Sequence, residues 1–375
     1  MDFKNILTSW QKSKIDQLIN SITKADVERA LSKETRDIED FIALISPVAA
    51  NYIEEMAKES NRLTRWHFGR TIGLYTPIYI SNICAADCVY CGYSARSGNK
   101  EKRITLTPDQ IRQECDVLSK QGFDNVLLLS GEAPNIVKPD YIIEAVKIAR
   151  EYFSSVSIEV YSMDYADYKK LFEAGVEGVT LYMETYDEEL YSKVHLAGQK
   201  RDYLYRLNAI ENAGLAGMRK LSIGFLIGLG NWQYEAVWLI LHALYLQKKC
   251  WQSNISLSFP RLRHTPERFK IPELVNDRQF VQLVLASRLI LPEAGFNLST
   301  RETPYLRDHL IPLGITMMSA GSSTRPGGHT CFKEETLEQF EIEDRRALSD
   351  IQAVIKKAGY DPVLKDFDHA FDKID

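Results

Sequence analysis

Beyond residue 70 the chain alternates short runs of apolar and β-branched residues with longer runs in which apolar residues recur at helical spacing. The short runs are typical of buried strands and the longer ones of amphipathic helices. The predicted strands are residues 72–82, 125–132, 155–161, 178–184, 221–228, 254–262, 296–302 and 314–321. Eight strands joined by helices predict the α/β class and a (β/α)8 TIM-type barrel. A doubly wound sheet with fewer strands is the alternative.

The same pattern divides the chain into three parts. Residues 1–70 have helical apolar spacing and predict an N-terminal helical extension. Residues 71–321 contain the predicted barrel, and residues 322–375 are expected to form a C-terminal capping segment. The stretch 319–328, SAGSSTRPGG, is a candidate lid because its glycines permit a mobile backbone.

Polar residues follow the ends of most predicted strands. In TIM barrels the catalytic groups gather at the C-terminal ends of the strands and in the loops after them. We therefore expect these residues to line one polar pocket at one mouth of the barrel. They are Ser130–Glu132, Glu184–Thr185, Arg261–Arg263, Thr300–Glu302 and Ser319–Ser322.

Composition narrows the classes of function. The chain has 375 residues, a net charge of −5 and 45% hydrophobic residues, so it can bury a substantial core but lacks the basic surface of a general nucleic-acid binder. No apolar run approaches the roughly 18 residues that cross a bilayer. The N-terminus lacks a secretory signal. These features predict a cytoplasmic protein without a membrane or nucleic-acid partner, in which clustered cysteines more often bind metal than form disulfides.

Three of the six cysteines, Cys84, Cys88 and Cys91, lie within eight positions, in what the pattern indicates is a loop after the first strand. One alternative is an apolar stripe on a helix, and another is a zinc site completed by His195 or His67. A [4Fe-4S] cluster fits three thiolates better, because one iron then stays open for another ligand. The other cysteines are scattered: Cys115 and Cys250 are expected in the core, and Cys331 in an exposed loop.

The spacing Cys-x3-Cys-x2-Cys after the first barrel strand resembles the signature of the radical S-adenosylmethionine (SAM) superfamily. The resemblance implies that Cys84, Cys88 and Cys91 hold a [4Fe-4S] cluster whose open iron binds SAM. Reduction of the cluster then cleaves SAM to a 5′-deoxyadenosyl radical.

Further positions resemble the SAM-binding residues of this superfamily. Tyr93 matches the aromatic residue beside the adenine, and Ser130-Gly131-Glu132 resembles the segment that binds the SAM amino group. Glu159 and Arg206 occupy places where related enzymes contact polar groups of SAM. For Glu159 a satisfied carboxylate, and for Arg206 a helix-surface position, are the alternatives.

The stretches YISNICAADCVYCGYS, LLLSGE, ETY, IGLG, SFPRLR and STRE, together with EQFEIEDRR and VLKDFD, extend the resemblance over nearly the whole chain. They are similar to the tyrosine lyases of thiamine biosynthesis within that superfamily. This implies cleavage of the Cα–Cβ bond of L-tyrosine to 2-iminoacetate (dehydroglycine) and p-cresol. It also implies a flavodoxin- or ferredoxin-type electron donor and a thiazole synthase as partner. One departure is Met183, where the family often has glutamine before the Glu-Thr-Tyr stretch.

A zwitterionic substrate needs a cation for its carboxylate, and a guanidinium offers a bidentate partner. Arg301, helped by Ser319, is the predicted carboxylate-binding pair; both resemble the corresponding positions of aromatic amino-acid lyases in this group. Arg301 could instead pair with Glu302 or Glu132. The partner of the substrate phenol cannot be chosen from the sequence.

Three other functions compete with a tyrosine lyase of this kind. A tryptophan lyase and a non-catalytic iron–sulfur scaffold remain open alternatives. The tyrosine lyases of hydrogenase maturation carry a second cluster on further cysteines, and here only Cys331 follows Cys250, so a second three-cysteine site cannot be built.

Overall fold

The computed structural model describes residues 2–263, 265–266, 269–332 and 336–365. Its strands form one sheet in which every pairing is parallel. The strands are β1 (Thr71–Ser81), β2 (Asn125–Ser130), β3 (Ser155–Glu159), β4 (Gly178–Thr180), β5 (Lys220–Gly224), β6 (Asn254–Ser258), β7 (Gly295–Leu298), β8 (Met317–Ser319) and β9 (Asp361–Val363). Since β1 pairs with both β2 and β8, the first eight strands close into a barrel, which confirms the predicted (β/α)8 fold.

Helices surround the barrel and precede it. They are α1 (Phe3–Ser9), α2 (Lys12–Ser21), α3 (Lys24–Ser32), α4 (Ile38–Leu44), α5 (Ile53–Phe68), α6 (Pro108–Lys120), α7 (Pro139–Arg150), α8 (Tyr165–Glu173), α9 (Glu188–Val194), α10 (Tyr203–Leu215), α11 (Trp232–Lys249), α12 (Asp277–Ile290), α13 (Pro304–Leu310) and α14 (Leu348–Lys357). No helix within the described ranges is long and apolar enough to cross a membrane.

The N-terminal helices share the core of the barrel. Helices α4 and α5 pack on α12, which is why α12 is buried along most of its length. Phe3 of α1 stacks on His242 of α11, with ring centroids 4.1 Å apart. The predicted boundary at residue 70 therefore separates segments of the chain that pack together, and the division into three domains stays a prediction.

Most strands end earlier than the sequence predicts. β4 covers Gly178–Thr180 where 178–184 was predicted, and β6 ends at Ser258 instead of residue 262. Beyond the ladder some residues make isolated bridges, such as Glu184 with Phe225. Leu181, Met183, Phe259 and Leu262 remain buried, so the hydrophobic pattern is strand-like although regular pairing has ended.

The C-terminal segment contacts both ends of the barrel. Thr324, Gln339 and Phe340 line the cavity at the C-terminal mouth. β9 pairs with the start of β1, Thr71–Gly73, at the opposite end. The candidate lid at 319–328 is tied down here, because Thr324 accepts hydrogen bonds from Tyr93 and from the backbone of Gln339. Residues 333–335 and 366–375 of the predicted capping segment, including the end of VLKDFD, lie outside the described residues.

Candidate active site

One cavity opens at the C-terminal ends of the barrel strands, and every residue predicted to bind the cluster, SAM or the substrate lines it. The barrel order brings them together from β1, β2, β3, β7 and β8, the loops after them, and α10. They are Cys84, Cys88, Cys91, Tyr93, Ser130, Gly131, Glu132, Glu159, Arg206, Arg301 and Ser319. Four polar strand-end residues that were also expected in this pocket do not line it: Thr185, Arg261, Arg263 and Glu302.

The segment Cys84–Cys91, called the cysteine loop below, is fixed by backbone hydrogen bonds to its neighbours. The amide of Ala85 donates to the carbonyl of Glu132 at 2.8 Å, and the amide of Val89 donates to the carbonyl of Val194 at 3.1 Å. These bonds join the loop to the end of β2 and to the end of α9. The helical-stripe alternative is wrong, because the segment contains no helix.

The thiols of the cysteine loop are enclosed. Burial raises the pKa of Cys84 to about 12 and raises the pKa of Cys88 and Cys91 as well. A metal that binds such thiols displaces their protons, because it supplies the positive charge that a buried thiolate needs. Cys115 and Cys250 are buried and Cys331 is exposed, as predicted.

The zinc alternative finds no support. Within the described ranges, no group of three or more histidine, cysteine or acidic side chains is arranged to hold a single metal ion. His195 uses both ring nitrogens in hydrogen bonds, at 2.7 Å to the Tyr90 hydroxyl and 3.0 Å to the Tyr191 carbonyl. His67 is exposed on α5. A [4Fe-4S] cluster does not require the thiols to converge, because each thiolate binds a different iron.

Gly131 allows the end of β2 to pack directly on the chain before the cysteine loop. A Cβ at this position would lie 2.3 Å from the carbonyl oxygen of Ile83. The Gly131 amide also donates to the Ser81 carbonyl at 3.0 Å. Glycine is therefore required here by a close contact with the protein's own backbone.

Glu132 has one paired and one unpaired carboxylate oxygen. Its Oε1 accepts a hydrogen bond from Arg206 at 2.7 Å. Its Oε2 is buried and has no hydrogen-bond partner among the described residues. A buried acceptor left unpaired is costly, so this oxygen suits a cationic donor such as the amino group of SAM. The donor set therefore fits the cofactor that the sequence implies.

Arg206 reaches the cavity from α10 and is buried, so the helix-surface alternative is wrong. Its Nε donates to the Tyr182 carbonyl at 3.0 Å, and its Nη1 donates to the Ser162 hydroxyl at 3.4 Å. Together with the ion pair to Glu132, these contacts mean that the Arg206 guanidinium is already bound by groups of the protein itself.

Tyr93 is buried, and its hydroxyl donates to the Thr324 carbonyl at 2.6 Å. Its ring meets Tyr79 edge-on, with centroids 6.1 Å apart. Ser130 donates to the Gly131 carbonyl at 3.1 Å, so its hydroxyl is held beside the end of β2.

Glu159 faces the cavity from the end of β3. None of the hydrogen bonds found among the described residues involves its carboxylate, so the alternative of a satisfied structural carboxylate is not supported. Burial, reinforced by the nearby charge of Glu184, raises the pKa of Glu159 to about 7.

Arg301 has no carboxylate partner among the described residues. Its guanidinium lies 3.5 Å from the ring centroid of Phe340. Glu302 is engaged instead by Arg261, whose Nε lies 3.0 Å from it, and by Arg263 at 2.8 Å. The two alternative pairings of Arg301 are therefore absent, since Glu132 is taken by Arg206.

Ser319 lies at the end of β8 and lines the same cavity as Arg301. Its hydroxyl accepts a hydrogen bond from the Thr300 amide at 3.2 Å. Ser319 is thus held beside Thr300, the residue that precedes Arg301.

Sequence reasoning missed Lys200, which also lines the cavity. It lies in a short 3-10 turn, Gln199–Arg201, and its Nζ is 2.9 Å from Oε1 of Glu184. Glu184 was expected at the mouth, but its partner was not. No local pattern marks Lys200, because a lysine in a polar stretch before a helix usually lies on the surface.

Comparison with known proteins shows the family of the chain. The family model of the Radical SAM superfamily matches residues 78–244. The Biotin and Thiamin Synthesis associated domain matches residues 258–361. The first covers most of the barrel, and the second runs from β6 to β9.

Curated relatives match over the whole length. The 2-iminoacetate synthases of Salmonella typhimurium and Escherichia coli are each 41% identical to this chain, over 97% of both proteins. Among solved structures, the FeFe-hydrogenase maturase HydG from Carboxydothermus hydrogenoformans is 28% identical with a TM-score of 0.88. That match covers 96% of this chain and 85% of HydG. The chain belongs to the 2-iminoacetate synthase family of the radical SAM superfamily.

Proposed function

We propose that the protein is a radical SAM carbon–carbon lyase that cleaves the Cα–Cβ bond of L-tyrosine to 2-iminoacetate and p-cresol, and so supplies part of the thiazole of thiamine. The observation that carries the proposal is a single cavity that contains the three cysteines of the cysteine loop, the unpaired oxygen of Glu132 and the unpaired guanidinium of Arg301. A cluster carrier needs only the cysteines. A lyase needs all three groups.

The cluster would be held by Cys84, Cys88 and Cys91, leaving its fourth iron to SAM. When bound, the cluster and SAM would supply the 5′-deoxyadenosyl radical that starts the reaction at the tyrosine amino group. The protein's part is to bind and orient the cofactor. We assign the SAM amino group to Glu132, with Ser130 and Gly131 shaping the same strand end.

Tyr93 is assigned to the side of the adenine, and Glu159 and Arg206 to the polar surroundings of SAM. Arg206 would act mainly by fixing Glu132, because its guanidinium already contacts the protein at several points. This arrangement holds the Glu132 carboxylate in one orientation before the cofactor arrives.

We assign the substrate carboxylate to Arg301 and Ser319. The guanidinium lies against Phe340, so it is oriented without a competing carboxylate. Thr324 and Phe340, from the chain after the barrel, cover this part of the mouth and limit access of water. Exclusion of water protects reactive intermediates from side reactions.

The protein partners and the cellular location are also proposals, and their basis is the family to which the chain belongs. We propose a flavodoxin- or ferredoxin-type electron donor and transfer of the product to a thiazole synthase in the cytoplasm. The division into residues 1–70, 71–321 and 322–375 is likewise proposed.

The proposal is tested by anaerobic reconstitution of the cluster followed by addition of SAM, dithionite and tyrosine. We expect both 5′-deoxyadenosine and p-cresol. If 5′-deoxyadenosine forms with tryptophan as cosubstrate and p-cresol never appears with tyrosine, the substrate assignment is wrong. If neither substrate gives 5′-deoxyadenosine, the iron–sulfur scaffold is the better description.

A further inference from the structure

Lys200 is a second cation in the cavity, distinct from Arg301. Its side chain is 11% exposed and its Nζ lies 2.9 Å from Glu184 and 3.9 Å from Oε1 of Glu132. Burial is the largest single influence and lowers the pKa of Lys200, but the surrounding negative charges, with Glu184 foremost, together raise it above its usual value, so the ammonium stays charged. An ammonium has three donors, and only one of them has an acceptor at hydrogen-bond distance among the described residues.

The position of Lys200 is fixed by two backbone constraints. Glu184 has a φ of 66°, and among the described residues it is the one non-glycine residue with a positive φ. That conformation is unfavourable for a side chain with a Cβ, and such residues concentrate at functional sites. Gly198, two residues before Lys200, packs on the cysteine loop so closely that a Cβ would lie 2.8 Å from the Cα of Ala86. The ammonium is therefore held beside the cysteines.

Lys200 and Glu132 together form a complementary pair of free groups. Glu132 offers a buried oxygen without a partner, and Lys200 offers free donors next to it. An α-amino acid presents one ammonium and one carboxylate on the same carbon, which is the arrangement these two side chains match. Arg206 is less available for a carboxylate, because it is engaged by Glu132 and by backbone and hydroxyl oxygens.

The mouth of the barrel must bind two α-amino acid groups, the methionyl end of SAM and the substrate. The side chains that could bind these two groups lie in two separate places around the barrel mouth. Glu132 and Glu184 follow β2 and β4, whereas Arg301 follows β7, three strands from each of them around the closed barrel. Each zwitterion can thus have its own cation.

We propose that Lys200, held in place by Glu184, binds the carboxylate of the methionyl group of SAM, so that Arg301 is left for the substrate. The inference rests on the proposed SAM site. It adds a cofactor-positioning residue and explains why Glu184 adopts its unfavourable backbone conformation.

The test compares SAM with its decarboxylated analogue, S-adenosyl-3-methylthiopropylamine, as ligands of the reconstituted enzyme under anaerobic conditions. Lys200→Met should weaken SAM binding about 10- to 100-fold, the range expected for loss of a charge-assisted hydrogen bond. The affinity for the decarboxylated analogue should change less than threefold. Lys200→Arg keeps the charge and should retain most of the affinity for SAM.

Lys193→Met is the matched control, because Lys193 is exposed on the preceding helix and forms a surface ion pair with Glu189. It should bind both ligands like the wild type. Visible absorbance of the cluster and the melting temperature show whether each variant is folded and loaded.

Equal loss of affinity for SAM and for the decarboxylated analogue in Lys200→Met would overturn the inference, and so would unchanged SAM affinity. Either result leaves the proposed function intact as long as the wild type binds SAM and forms p-cresol. A wild type that binds no SAM would instead refute the proposed function.

Discussion

Replacing Arg301 by alanine isolates the binding of the substrate carboxylate. The guanidinium has no ion-pair partner among the described residues, so its removal breaks no ion pair there. The loss should then equal the interaction with tyrosine, about 1.5–3 kcal/mol for hydrogen bonds to a charged group. That corresponds to an increase of roughly 10- to 100-fold in the dissociation constant of tyrosine. Loss of the contact with Phe340 should cost about 0.5–1 kcal/mol of stability.

The assay is equilibrium binding of tyrosine and of tyramine, which lacks the carboxylate, to the reconstituted enzyme in the presence of SAM. Arg301→Ala should weaken tyrosine binding and leave tyramine binding and SAM binding within about threefold of the wild type, because only the carboxylate contact is lost. Arg263→Ala is the matched control, because Arg263 contacts Glu302 but lies outside the cavity lining. Loss of SAM affinity in Arg301→Ala, with tyrosine affinity preserved, would refute the assignment.

The remaining predictions concern the cluster, the end of β2 and a carboxyl group. Alanine at any cysteine of the cysteine loop should abolish the visible absorbance of the reconstituted cluster, whereas Cys115→Ala should retain it, and equal loss would contradict the ligand assignment. Gly131→Ala should cost about 1–3 kcal/mol in urea unfolding and reduce iron content, because its Cβ would meet the Ile83 carbonyl; unchanged stability would mean that the chain relaxes there. The pKa of Glu159, about 7 against the usual 4.5, means that between these values the folded protein keeps a proton that the unfolded chain has released. The free energy of unfolding should therefore fall as pH rises through that window. Glu159→Gln should reduce the difference in this free energy between pH 5 and pH 7.5, measured by urea unfolding, by about 1–3 kcal/mol. An unchanged difference would assign the pH dependence to other groups.

The sequence predicted the number and order of the barrel strands because each strand is short, buried and bounded by turn residues. It overestimated most strand lengths, since hydrophobic pattern reports burial and the residues beyond Thr180 and Ser258 stay buried after pairing ends. The register and the pairing of the ladder depend on neighbouring strands far away in the chain, which local pattern does not contain.

The residues of the site were predictable where a motif or a strand end marked them. The cysteine loop and Arg301 are examples. The partners of these residues were not predictable, because the pairing of Arg206 with Glu132 joins positions 74 residues apart. Lys200 was missed for the same reason: its burial results from the contacts of Gly198 and Glu184, and no local spacing in the sequence reveals them.

The most direct test of the proposed reaction is a turnover experiment in D2O buffer with limiting SAM, reduced enzyme and tyrosine, in which p-cresol and 5′-deoxyadenosine are quantified together. Protons on the amino group exchange with solvent, so abstraction from nitrogen should place one deuterium in 5′-deoxyadenosine. We predict equal amounts of the two products and a mass increase of one deuterium in the nucleoside. Unlabelled 5′-deoxyadenosine, or 5′-deoxyadenosine without p-cresol, would contradict the account.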